Sequence, residues 1–153
     1  MSVIRRLLAV LVLAGALVAV LAVSPASAQV GSGCTLATAL KPGNEVPVSN
    51  SMDFGAAVFR IDGGTLRFLV VIANVSKETF VAGHIHLAPV GVAGPVVVPL
   101  FASTGVMPFI FTQSGTMTIS PTLGAAICAN PSAYYVNYHT TAHPSGTTRG
   151  QLG

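Results

Sequence analysis

Charge is scarce in this chain: seven Lys and Arg and four Asp and Glu stand among 153 residues. The few carboxylates offer nothing that argues for catalysis, because Glu45, Asp53 and Asp62 each lie beside Gly or Pro turn signals, where capping and turn roles suit them. No basic run is present to collect phosphates, so the positive balance is no sign of nucleic-acid binding. A G-x-S-x-G elbow, a phosphate-cradling glycine loop and a Cys–His nucleophile arrangement are all missing. So are internal repeats, a low-complexity tail and any stretch that sustains helical periodicity over three turns.

What is there begins at the N-terminus. Arg5 and Arg6 precede an apolar run from Leu7 to Val23 that only Gly15 interrupts, and Pro25 then stands just before Ala26-Ser27-Ala28. That order is expected of a secretory signal peptide, residues 1–28, cleaved after Ala28. The run is slightly longer than a typical apolar signal region, which leaves an uncleaved membrane anchor as the alternative. Removing residues 1–28 leaves five basic against four acidic residues, a net charge of +1. No further apolar run is long and turn-free enough to span a bilayer, so no transmembrane segment is expected after cleavage. The rest of the chain suits one domain in length, with residues 29–33 as a flexible lead-in and 34–153 as the domain.

The two cysteines, Cys34 and Cys128, sit near opposite ends of that domain. In an exported chain an even count of two suggests one disulfide. "VGSGC" also ends superficially like a lipoprotein site, but Gly31 occupies the position three before Cys34, the apolar run ends well upstream, and lipidation would strand Cys128.

Short strands fit the Gly- and Pro-punctuated sequence. "FGAAVFRI" (54–61) and "TLRFLVVIANV" (65–75) flank Asp62-Gly63-Gly64, whose residues supply the positive φ a tight hairpin needs. Leu66, Phe68, Val70 and Ile72 share one face of the second strand, and its other face is also largely apolar, which suits a two-sheet sandwich or barrel. Further strands are expected at 81–87, 95–100, 107–112, 115–120, 133–140 and 147–152, with one or two helical turns between Thr122 and Ala129. The pattern is all-β, a sandwich or a closed barrel.

Within "FVAGHIHLAP" (80–89), a strand would place His84 and His86 on one face and Ile85 on the other. Two imidazoles so spaced can converge on one metal ion. "YYVNYHT" (134–140) offers a third on a second strand, where Tyr135, Asn137 and His139 share a face. Three such nitrogens without a thiolate suit Cu(II) or Zn(II) better than Ca(II) or Mg(II). The competing reading is structural, since histidines at the edge of an apolar sheet also hydrogen-bond to carbonyls and tyrosine hydroxyls.

In order along the chain, "GNEVPV" (43–48), "FGAAVFRI", "LRFLVVIANV", "AGHIHLAPVGVAGPVVVPL" (82–100) and "YYVNYHTTAHPSGTTRGQLG" (134–153) resemble the CHRD domain, the module named after the secreted antagonist chordin and found in bacterial exported proteins. The resemblance implies a β-rich extracytoplasmic domain and no established enzyme activity. His143 stands where the pattern commonly has Asn, so no role is carried onto it. A looser similarity links HIH, His139 and Gly146 to Arg149 with copper-zinc superoxide dismutases, in which histidines of a Greek-key β-barrel hold copper and an arginine guides the anionic substrate. "LAPVGVAGPVV" lacks the further histidines and the aspartate that hold zinc in those enzymes, which argues against dismutase activity. Arg149 also has a structural reading, pairing with one of the few carboxylates to fix the closing strand.

The expectation is therefore a secreted or cell-envelope CHRD-type domain with a Greek-key-like fold. It serves as a binding or structural module for an extracytoplasmic protein or envelope component, more plausibly than as an enzyme. Its alternative is a copper or zinc protein using His84, His86 and His139.

Overall fold

A computed structural model describes residues 33–153. The expected signal peptide and nearly all of the lead-in lie outside the described residues. Eight strands form two four-stranded antiparallel sheets that face each other across an apolar core. One sheet holds β1 (Cys34–Leu40), β2 (Phe54–Asp62), β3 (Thr65–Ala73) and β6 (Ile110–Thr118), in the order β1-β2-β3-β6. The other holds β4 (Phe80–Leu87), β5 (Val96–Val106), β7 (Tyr134–Thr140) and β8 (Thr148–Gln151), in the order β5-β4-β7-β8. The chain leaves the first sheet after β3 and returns as β6 beside it, a Greek-key-like crossing. The expected all-β sandwich is the observed fold.

The β2–β3 hairpin forms as its turn chemistry requires. Asp62 pairs with Thr65, and Gly63 takes the positive φ of +54° that a residue with a side chain adopts at a cost. Leu66, Phe68, Val70 and Ile72 point into the core, while Leu69 and Val71 on the opposite face are exposed. The strand is therefore buried on one side only, although both of its faces are apolar.

Three elements differ from the sequence expectation. β1 was not expected, because "CTLATAL" is made mostly of small residues and Thr; Leu36 and Leu40 nonetheless bury in the core beside β2. The expected strands 107–112 and 115–120 are one strand, β6, since Gly115 pairs with Phe68 and the ladder continues through it. β5 runs on to Val106 rather than stopping at Leu100, and register shifts along its pairing with β4 absorb the irregular sequence. The expected helical turns are α1 (Pro121–Ala129), whose Ser120 hydroxyl accepts a hydrogen bond from the Leu123 amide.

Cys34 on β1 and Cys128 on α1 form a disulfide, with Cα atoms 5.6 Å apart. Bonded in this way, the Cys34 sulfur is not available to a lipid. The sandwich also closes along one edge: Lys41 after β1 exchanges both backbone hydrogen bonds with Arg149 on β8, and the Ala37 amide donates to the Gly153 carbonyl.

Candidate functional site

The apolar side chains of β4 and β7 face inward, so their polar ones must collect on the outer face. Ile85, Val136 and Tyr138 are fully buried in the core. Across from them, on the outside, His84 pairs with Asn137, His86 with Tyr135, and Asn137 in turn with Arg149. This face is not bare. The segment between β4 and β5 (88–95), the turn after β1 (42–50) and the loop before β8 (141–147) supply groups that contact it, so His86, Asn137 and Arg149 are nearly as buried as the core.

Three of the four histidines meet there. One ring nitrogen from each of His84, His86 and His139 lies within 4.8 Å of the others. His84 Nδ1 and His139 Nε2 are 3.1 Å apart. His86 Nδ1–H donates to the Gly94 carbonyl at 2.8 Å, and His139 Nδ1–H donates to the Pro144 carbonyl at 3.0 Å. His139 Nε2 thus carries a lone pair, and His84 Nδ1–H is the donor between the two rings. His86 Nε2 is buried with no hydrogen-bond partner. Burial pushes the His84 imidazolium below the usual histidine range, helped by the nearby His86. His86 shifts the same way from burial, opposed by the Gly94 bond and by the neighbouring Asn137 side chain and reinforced by the Arg149 charge. His139 is pushed down to about 4, by burial first and then by His84. All three are neutral imidazoles near neutral pH, the form with a lone pair to give.

Tyr135 and Arg149 wall one side. The His86 ring stacks on Tyr135 with centroids 4.7 Å apart, and the Arg149 guanidinium carbon lies 3.3 Å from the Tyr135 ring centroid. Arg149 does not pair with a carboxylate as expected. Its Nη1 donates to the Val92 carbonyl at 2.9 Å and its Nη2 to the Pro89 carbonyl at 3.0 Å and to Gln151 Oε1 at 3.2 Å. The guanidinium fork matches the carbonyls that the 88–95 segment turns inward, and it pins that segment over the histidines. The carboxylate pair read from the sequence is not formed; what Arg149 holds is the 88–95 segment.

One neighbour of the site, Glu45, escaped the sequence reading. Glu45 is buried rather than merely placed in a turn, and Asn137 Nδ2 donates to its Oε2 at 3.4 Å. Desolvation raises the Glu45 carboxyl to about 7, against the lowering effects of Asn137 and of the Arg149 charge. Asn137 was visible as a face-mate of His139; nothing in "GNEVPV" announced that Glu45 folds beneath it. The fourth histidine lies apart. His143 Nδ1 bonds Glu78 Oε2 at 2.8 Å, and the Thr140 and Thr147 hydroxyls donate to the same carboxylate. Asp53 caps a turn as expected, accepting from the Ser76 amide at 2.8 Å.

The polar outer face, its covering segments and the terminal strand all fall within one stretch, and the model of the CHRD domain matches residues 36–152. The chain belongs to the CHRD family. No curated protein and no solved structure matches it. CHRD domains occur in extracellular proteins and suggest a binding or structural module. Within this CHRD domain the HIH motif and the Y-V-N-x-H-T motif are neighbouring strands, β4 and β7, and the G-x-x-R-G-Q-L segment is β8 beside them. These stretches of the resemblance thus assemble one continuous face.

Proposed function

We propose that this CHRD chain is exported and acts outside the cytoplasm as a binding module, with the outer face of the β5-β4-β7-β8 sheet as its binding face. The observation that carries the export is the Cys34–Cys128 bond, which joins β1 to α1 across a sequence separation of 94 residues. A bond of this kind persists in oxidising compartments and is reduced in the cytoplasm. The expected signal peptide agrees with it, and among the described residues no helix is long and apolar enough to cross a membrane. The binding face is supported by the concentration there of buried polar groups that the core does not need.

The test is fractionation of cells expressing the full chain, followed by intact-mass measurement. The expected product begins after Ala28, gains the mass of two hydrogens on reduction, and is recovered outside the cytoplasm. Full-length chain in the cytoplasm with two free thiols would overturn the reading. Envelope partners recovered with the exported chain should resist mild salt, because a net charge of +1 leaves little for ions to screen.

A further inference from the structure

We propose that His84 Nδ1, His86 Nε2 and His139 Nε2 form a three-nitrogen site for a late first-row divalent ion, with Cu(II) held most tightly. The inference deepens the binding-module reading and rests on it, since it names the ligand of the same face. Its basis is the position and occupation of the six ring nitrogens.

Two of the six are taken by backbone carbonyls, Gly94 for His86 and Pro144 for His139, and both carbonyls belong to segments that cover the face. A hydrogen bond at one imidazole nitrogen fixes the tautomer and leaves the other nitrogen as a lone-pair donor, which is the arrangement around metal-bound histidines. The nitrogen left on His86 is buried without a partner, in a residue only 7% exposed. Buried polar atoms are ordinarily satisfied, so an orphaned acceptor beside two other ring nitrogens asks for a ligand that accepts electron pairs. The remaining pair already has suitable spacing. Two nitrogens bonded to one ion at about 2 Å stand roughly 2.8 Å apart at the right angle of tetragonal Cu(II) and roughly 3.3 Å apart at the tetrahedral angle, and His84 Nδ1 and His139 Nε2 lie between, at 3.1 Å.

The donor set selects the ion. The cluster holds three histidines and no carboxylate, and both cysteines are bonded to each other, which removes the oxygen ligands of Ca(II) and Mg(II) and the thiolates of structural zinc. Among divalent ions at nitrogen sites Cu(II) binds most tightly. Only one proton has to move. His84 now carries hydrogen on Nδ1, shared with His139 Nε2; on binding, Nδ1 gives up that proton and Nε2 takes one from solvent, so the ring stays neutral. His84 is half-buried, which leaves a route for that exchange.

The experiment titrates the metal-free, disulfide-bonded exported protein with Cu(II), following calorimetry and the electron paramagnetic resonance spectrum. The expected result is one equivalent bound as a single species with hyperfine splitting from several nitrogens. His86→Ala should weaken that binding by ~100-fold or more, the scale of losing a ligand rather than one of its supports. His143→Gln, on the separate Glu78 cluster, should leave it within a few-fold. Should His86→Ala fail to fold, His84→Gln is the second variant, and the nitrogen count in the unaltered chain still decides the matter. Only free or heterogeneous copper signals at one equivalent would overturn the site, as would loss of binding in His143→Gln with retention in His86→Ala. Either result, from a chain that is exported and oxidised, removes the metal and leaves the module; cytoplasmic, reduced chain removes the module on its own test.

Discussion

At the residue scale, four of the nine charged side chains among the described residues are buried: Glu45, Asp53, Glu78 and Arg149. Glu45 and Arg149 are both nearly inaccessible, and neither forms a close ion pair, so each depends on hydrogen bonds and distant compensation. Glu45 makes a measurable consequence. Its carboxyl is raised to about 7 by desolvation, so between about 4.5 and 7 the native chain holds a proton that the unfolded chain has released. The stability this group contributes is full below about 4.5 and is lost as pH rises through about 7. The three clustered histidines act in the opposite sense, losing stability as pH falls below the ordinary histidine range, so the whole-chain profile mixes both. The difference between Glu45→Gln and the unaltered chain isolates the carboxyl. In denaturant melts from pH 5 to 8 the variant should gain on the unaltered chain by on the order of 1 to 3 kcal/mol; a flat difference would show that Glu45 ionises freely in the fold. The histidines were legible from spacing, because period-two alternation puts His84 with His86 and Asn137 with His139. Glu45 was not, because a turn composition says nothing about what the turn folds against.

At the scale of elements, strand alternation sorted most of the chain and small residues decided the rest. On β4, Gly83 faces inward opposite Tyr138, and a Cβ there would fall on the Tyr138 ring. That ring is held from several sides by Phe80, Phe101 and Phe111, and its hydroxyl donates to Gln113, so it has nowhere to move. Gly83→Ala should cost about 1 to 3 kcal/mol, the usual cost of overpacking, read as a lower denaturant midpoint. In a Tyr138→Ala background the same substitution should cost much less, since the cavity accepts the methyl; equal costs in both backgrounds would place the strain elsewhere. The hairpin was legible because Asp-Gly-Gly has few other uses between two apolar runs. β1 and the unbroken β6 were not, because their pairing depends on neighbours far along the chain rather than on their own composition.

For the whole molecule, the disulfide and the β1–β8 edge do related work. The bond closes a loop of about 95 residues, for which chain entropy gives roughly 4 to 5 kcal/mol before any strain. A Cys34→Ala, Cys128→Ala variant should therefore show a markedly lower denaturant midpoint with the same native spectrum; an unchanged midpoint would mean that the β1–β8 edge alone holds the ends together. The amino-acid sequence by itself determined the all-β class, the hairpin at Gly63, the likeness to CHRD domains, the pairing partner of Cys34 and the set of three histidines worth watching. These follow from short-range rules: side chains alternate along a strand, glycine alone adopts certain turns cheaply, and two cysteines have one way to pair. Only the tertiary structure decided that Arg149 answers backbone carbonyls instead of a carboxylate, that Glu45 lies under Asn137, and that the carbonyls of Gly94 and Pro144 set the tautomers of His86 and His139. Those contacts join β4, β7 and β8 to loops between 5 and 92 residues away in sequence. No local pattern encodes them, because the desolvation and hydrogen bonding that fix each group exist only once the sheets have packed and the loops have closed over them.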